Sequence, residues 1–267
     1  MHCKVGLPQE RFAKLPALGV SGHYGHLVAY LKITDTMVTV FFDIDGTLIS
    51  TAGAGGQAMV DTLAKQLGCS FDVGSVSFAG RTDRSLVAEL LEQHNIEPTN
   101  EIFATFCEAF VPRLVSMLSE RDGRVLPGVV DVLDKLSACD HIRLGIITGN
   151  LRKAAYAKLS HFDLAKYFYA DGEPVGGFGD TEVHRDDVAR SALRELSDLV
   201  GGSPKDRLWV VGDTASDIQC GQAINAQVVA VETGSFNREQ LEPHGPDLIL
   251  SDLTLAADWL DLLMRPE

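Results

Sequence analysis

The chain has 267 residues, 45% of them hydrophobic, and its 23 basic against 37 acidic side chains give a formal net charge of −14. That length supports a full core, as one large domain or as a domain carrying an insertion. An acidic chain without a Lys/Arg-rich run excludes an electrostatic footprint for nucleic acid, and it must bind phosphates through a divalent metal and a few placed cations.

Residues 1–36 mix glycine, proline and His2, His23 and His26 with short apolar pieces of no sustained period, and histidines in such a tail ordinarily bind nothing in particular. An almost wholly apolar run, Val38-Thr39-Val40-Phe41-Phe42, then ends in Asp43-Ile44-Asp45-Gly46-Thr47. The run predicts a buried parallel strand, whose carboxyl end is where open α/β sheets place their ligands. Two carboxylates facing one crevice repel each other unless a cation lies between them. The pair is therefore a metal site, a nucleophile with its acid/base partner, or both.

Between 52 and 124 the spacing predicts helices over 52–67, 83–94 and 100–119, with almost no strand-like run. The first opens on Gly53-Ala54-Gly55-Gly56, which suits a hinge or a close backbone approach. An all-helical insertion after the first strand is the economical reading. Pro127-Gly128 starts a helix over 129–138 that returns the chain to the sheet. Strands are predicted at 143–148, 167–170, 208–212, 227–231 and 248–250, alternating with helices at 151–160, 186–200, 215–223 and 254–263. Such alternation predicts a doubly wound parallel sheet, a Rossmann-like α/β core with right-handed crossovers.

Five scattered cysteines, Cys3, Cys69, Cys107, Cys139 and Cys220, lack Cys-x-x-Cys spacing, which points to reduced thiols rather than to zinc. No run of about 18 wholly apolar residues marks a membrane span, and the N-terminus lacks a signal peptide's apolar core. The expectation is a cytoplasmic protein with no membrane partner.

Three further segments put polar residues beside predicted strand or helix ends. Thr148-Gly149-Asn150 closes a buried strand, and a hydroxyl followed by backbone N–H groups at a helix start is a phosphate cradle. Arg185 precedes Asp186-Asp187 and an amphipathic helix, and its guanidinium offers a bidentate fork to phosphate oxygens. Lys205 is its rival, but beside Asp206 and Arg207 it suits a surface. Val210-Val211-Gly212-Asp213-Thr214-Ala215-Ser216-Asp217 again ends a strand in a carboxylate, with a second one four residues on. Oxygen ligands without histidine or cysteine favour Mg2+ over zinc. Asp217 has a simpler use too, as a negative charge at a helix N-terminus.

In this order the segments resemble the four motifs of the haloacid dehalogenase-like hydrolase superfamily, in the form its phosphatases use, over about four-fifths of the chain. The helical insertion resembles the cap of the phosphoglycolate-phosphatase-like branch, and Gly80-Arg81-Thr82-Asp83 matches a stretch facing the active site there. Thr82 capping a helix, with Asp83 in its first turn, explains the same residues locally. The resemblance implies a core over 37–51 and 125–267 with a cap over 52–124. Members usually begin a few residues before the first strand, so Met37 is the expected natural start and 1–36 an upstream extension. It also implies Asp43 as nucleophile and Asp45 as acid/base. Mg2+ would be held by Asp43, the Asp45 carbonyl, Asp213 and Asp217. The phosphoryl group would be bound by Thr148, Gly149 and Arg185, and substrate by Arg81 and Asp83 in the cap.

An acid at Asp45 sets the chain apart from dehalogenases, which need no proton on the leaving halide. Lys65 lies late in the first cap helix, away from a phosphonatase's Schiff-base position. The expected function is a Mg2+-dependent phosphatase acting on a small phosphorylated metabolite, as monomer or homodimer. The alternatives are a phosphomutase of the β-phosphoglucomutase kind and a non-catalytic scaffold.

Overall fold

The computed structural model describes residues 37–169, 174–204 and 207–265. The expectations for residues 1–36 and for Lys205 fall outside them. Six strands form one sheet in the order β5-β4-β1-β6-β7-β8, with β1 Val38–Phe42, β4 Ile142–Ile147, β5 Gly176–Gly177, β6 Arg207–Gly212, β7 Gln227–Val231 and β8 Leu248–Leu250. Every pairing in it is parallel. The expected Rossmann-like α/β core is the observed one. The strand expected at 167–170 is not there: Ala165–Phe168 is a short helix (α6), and the sheet's edge is Gly176–Gly177 instead. Tyr167 and Phe168 carried the β-propensity. Phe168 nevertheless packs edge-on to Phe42 from outside the sheet, so tertiary packing overrode propensity.

The period-2 alternation of β1 divides the core. Val38, Val40 and Phe42 pack with Leu133, Leu159 and Leu263, which belong to α4 (Val129–Ser137), α5 (Arg152–His161) and the C-terminal helix α9 (Ala257–Met264). Phe41 points the other way, to Val188, Ala192 and Cys220 on α7 (Arg185–Val200) and α8 (Ala215–Ala223). Helices on both faces are what a wholly buried strand requires.

A two-stranded antiparallel ribbon, β2 (Ile49–Ser50) and β3 (Arg124–Val125), brackets three helices: α1 Ala54–Leu67, α2 Asp83–Gln93 and α3 Asn100–Glu120. Met59, Leu63, Leu90, Phe106, Phe110 and Leu114 form a second apolar cluster there, and Leu151 and Ala154 join it from the entry to α5. Thr82 and Thr99 cap α2 and α3, each accepting an N–H three residues on. Among the described residues α3 is long and apolar enough to cross a membrane, with mean hydropathy 1.4. The apolar stripe Phe103, Phe106, Phe110 and Leu114 instead fills the helical cluster, and Arg113 is paired with Asp61 of α1 at 2.6 Å.

Candidate active site

The register of the sheet assembles the site. Phe42 lies opposite Val211 of β6 and Ile146 of β4, so Asp43 and Asp213 leave neighbouring strands at one end, with Thr148 leaving on the other side. The N–H of Asp43 still bonds the Val211 carbonyl, at 2.9 Å. The turn that follows needs Gly46: its φ is +89°, and a Cβ there would lie 2.5 Å from Oδ2 of Asp213. Thr47 donates its hydroxyl to Oδ1 of Asp213 at 3.2 Å.

Asp43, Asp213 and Asp217 are buried, and one ligand oxygen from each falls within 4.8 Å of the others. Burial and the charge of Asp217 push the carboxyl of Asp43 up to about 7, against the opposing pull of Arg185. Burial, then Asp217 and Asp43, hold Asp213 well above the usual carboxylate range. Carboxylates that disfavour each other's charge this strongly, and offer only hard oxygen donors, fit a divalent cation.

Arg185 opens α7, a position where the helix dipole disfavours a cation. Two carboxylates outweigh that: its Nη2 donates to Asp43 Oδ1 at 3.2 Å and to Asp217 Oδ1. Burial opposes its charge, but Asp217 and Asp43 hold the guanidinium above its ordinary value. The other oxygen of Asp217 accepts from the backbone N–H and the hydroxyl of Thr214, closing a capping box at the start of α8. Asp217 thus performs the local helix-terminus task and sits in the acidic cluster as well.

Asp45 turns away from that cluster. Its side chain is 39% exposed, and its Oδ2 accepts from Lys158 Nζ at 2.6 Å and from Asn150 Nδ2 at 2.8 Å. Asn150 Nδ2 also donates to Thr148 Oγ1 at 2.8 Å, which leaves the hydroxyl proton of Thr148 free to point at a ligand. These side chains, with Gly149, Arg81 and Asp83, line a cavity of about 490 Å3 whose other wall is apolar: Met59, Val73, Phe78, Leu86 and Phe110.

Arg81 and Asp83 reach the cavity by different means. Asp83 N–H donates to the Gly149 carbonyl at 2.7 Å, and its carboxylate accepts the Leu151 N–H at 2.8 Å. A Cβ at Gly149 would overlap the Arg81 carbonyl oxygen, so only glycine allows this approach. The guanidinium of Arg81 is paired with Glu89 at 2.8 Å and touches Ser85.

Sequence reasoning brought together Asp43, Asp213, Asp217 and Arg185 as the structure does, and it missed Lys158 and the side chain of Asn150. Lys158 falls four residues after Ala154, on the face of α5 that buries Leu151, Ala154 and Ala155, a face that is defined only once the helix is docked.

The model of the family "Haloacid dehalogenase-like hydrolase" matches residues 40–231. A phosphoglycolate phosphatase of Mesorhizobium japonicum is 26% identical over 85% of this chain and 96% of its own length. The pyrophosphatase PpaX of Oceanobacillus iheyensis is 25% identical over 80% of this chain and 92% of its own. Among solved structures, CbbY of Rhodobacter sphaeroides in complex with xylulose-(1,5)bisphosphate superposes with TM-score 0.63 at 20% identity, over 82% of this chain and 96% of that one. A predicted phosphatase of Clostridium acetobutylicum gives 0.62 at 21%, over 85% and 99%. With the family model spanning both acidic strand ends and everything between them, the chain belongs to the haloacid dehalogenase-like hydrolases.

Proposed function

We propose that this enzyme is a Mg2+-dependent phosphatase that hydrolyses a small phosphate monoester through an aspartyl-phosphate. The divergence of Asp43 and Asp45 carries the reading. Two residues apart, one carboxylate joins the buried cluster and the other faces the cavity on a lysine and an amide. A nucleophile and a proton carrier need that separation of environments.

Asp43 attacks phosphorus, and the new Asp43–O–P bond forms as the ester P–O bond breaks. The leaving oxygen takes the proton of Asp45. Water then attacks the phosphoenzyme and gives its proton to Asp45, which frees phosphate and restores Asp43. The cluster of Asp43, Asp213 and Asp217, with the Asp45 carbonyl, would hold Mg2+, which supplies charge neutralisation for the transferring group. The Thr148 hydroxyl, the backbone at Gly149 and Arg185 spread the remaining charge. The segment 52–124 acts as the cap, and its loop bearing Arg81 and Asp83 forms one wall of the site. We assign Asp83 to holding that loop on the core, since its carboxylate is spent on Leu151. Arg81 is left for a substrate anion, which would have to compete with Glu89. Cys69, Cys107, Cys139 and Cys220 are free among the described residues, and we place the enzyme in the cytoplasm, where thiols stay reduced.

Purified protein with Mg2+ is expected to release phosphate from members of a panel of monoesters, phosphoglycolate and p-nitrophenyl phosphate among them. Asp43→Asn should lower that release at least about 1,000-fold while the fold survives. Undiminished turnover by the folded variant excludes the aspartyl-phosphate. A 1,6-bisphosphate requirement with no net phosphate release identifies a mutase instead.

A further inference from the structure

Among the described residues, Lys158 is the one charged group lining the cavity for which the chemistry above has no use. Its side chain is only 5% exposed, on the apolar face of α5. Burying an ammonium is costly unless its donors are met, and a methionine of the same length would fill the position without that cost. Two donors are met, by Asp45 Oδ2 and Asn150 Oδ1, both at 2.6 Å. An ammonium only donates, so Lys158 also settles which side of the Asn150 amide is oxygen. The NH2 is thereby turned to Asp45 and Thr148. Both bonds to the Asp45 carboxylate fall on Oδ2, which leaves Oδ1 as the oxygen without a protein donor among the described residues. Gly55 of α1 faces the ammonium from the cap side, where a Cβ would stand 3.4 Å from Nζ, in ordinary contact.

We infer that Lys158 is a positioning residue for proton transfer: with Asn150 it clamps Oδ2 of Asp45, so that Oδ1 carries the proton to the leaving oxygen and later receives it from water. The inference rests on the phosphatase reading. It is distinct from the role given to Arg185, which lies across the site on Asp43 and Asp217. In the step concerned, the ester P–O bond breaks with its electron pair on the leaving oxygen, and the Asp45 Oδ1 proton moves to that oxygen.

A residue acting through the acid matters in proportion to the leaving group's need for a proton. The test compares kcat/KM, which reports formation of the phosphoenzyme, for p-nitrophenyl phosphate and for an alkyl phosphate turned over by the wild type. Lys158→Met is expected to lose at least about tenfold more on the alkyl ester than on the aryl ester. Added to Asp45→Asn it should cost little further, because both act on one proton. Asn150→Ala should show the same preferential loss, and it decides the matter if Lys158→Met fails to fold. Equal losses on both esters, as from a lysine that binds the phosphoryl group, overturn the inference and leave the phosphatase reading standing. Additivity with Asp45→Asn overturns it as well. A wild type that releases no phosphate from any monoester overturns the phosphatase reading, and the inference with it.

Discussion

The carboxylate of Asp83 accepts the backbone N–H of Leu151 at 2.8 Å, tying the first residue of α2 to the entry of α5 across 68 positions of sequence. Together with the reverse bond from Asp83 N–H to Gly149, it fixes the helical segment to the loop that carries Thr148 and Asn150.

Burial raises the Asp83 carboxyl to about 6, against the pull of Lys158 and of the Leu151 N–H. Below pH 3.8, its usual value, folded and unfolded chains both carry the proton. Between there and about 6 the folded state holds it more tightly. That contribution to stability is therefore present at low pH and lost as pH rises through 6. With about two pK units at 1.36 kcal/mol each, roughly 3 kcal/mol is at stake. Asp83→Asn keeps an acceptor for Leu151 and removes the titration. Denaturant unfolding at pH 4 and 7.5 should show the variant gaining on the wild type by about 2–3 kcal/mol over that interval. A difference that does not change with pH removes Asp83 from this account.

Arg185 is the only described cation bonded to Asp43 and Asp217. Arg185→Met leaves the buried carboxylates without it, and a loss of about 3–5 kcal/mol is expected in EDTA. Mg2+ should return part of that loss, while Arg185→Lys, which keeps the charge but not the fork, should lose less in the first place. Unfolding midpoints with and without Mg2+ measure both. An Arg185→Met protein as stable as wild type in EDTA contradicts the electrostatic role.

Metal binding has a readout apart from turnover. At a hundredfold excess over Kd, a ligand that binds only the folded state stabilises it by about 2.7 kcal/mol. Wild type should show that rise with Mg2+ in a thermal melt, and EDTA should reverse it. Asp213→Asn removes one of the three carboxylates and should lose most of the rise, with phosphate release down at least about 100-fold. An unchanged Mg2+ shift in Asp213→Asn would place the cation elsewhere.

The acidic strand ends were legible because two signals coincide there: wholly apolar runs fix the strands, and a carboxylate directly after a buried strand has no cheap structural reason. Asp217 was legible twice over, as a helix cap and as a ligand, and it serves the cap while its second oxygen meets Arg185. Lys158 was not, because one lysine on a short helix with several exposed polar residues carries no periodic signature until α5 is docked. The strand expected near Tyr167 failed for the opposite reason. Aromatic residues there suit a strand, but Phe168 packs on Phe42 from a helical turn, and the sheet is completed by Gly176–Gly177, whose composition gives no strand signal.

The central place of β1 bears on how the chain is made. Val38–Phe42 leaves the ribosome first among the sheet strands, yet both its neighbours are distant: β4 begins at Ile142 and β6 at Arg207. At about 5–20 residues per second, β1 waits roughly 5–20 s for its first partner. During that interval a β-branched and aromatic segment shows two open edges, the profile of an aggregation-prone strand. The helical insertion, with its own apolar cluster, is synthesised within that wait and can collapse beside the strand before β4 arrives. The same arrangement that sets Asp43 between two neighbouring strand ends therefore leaves β1 open to misassembly while the chain is being made.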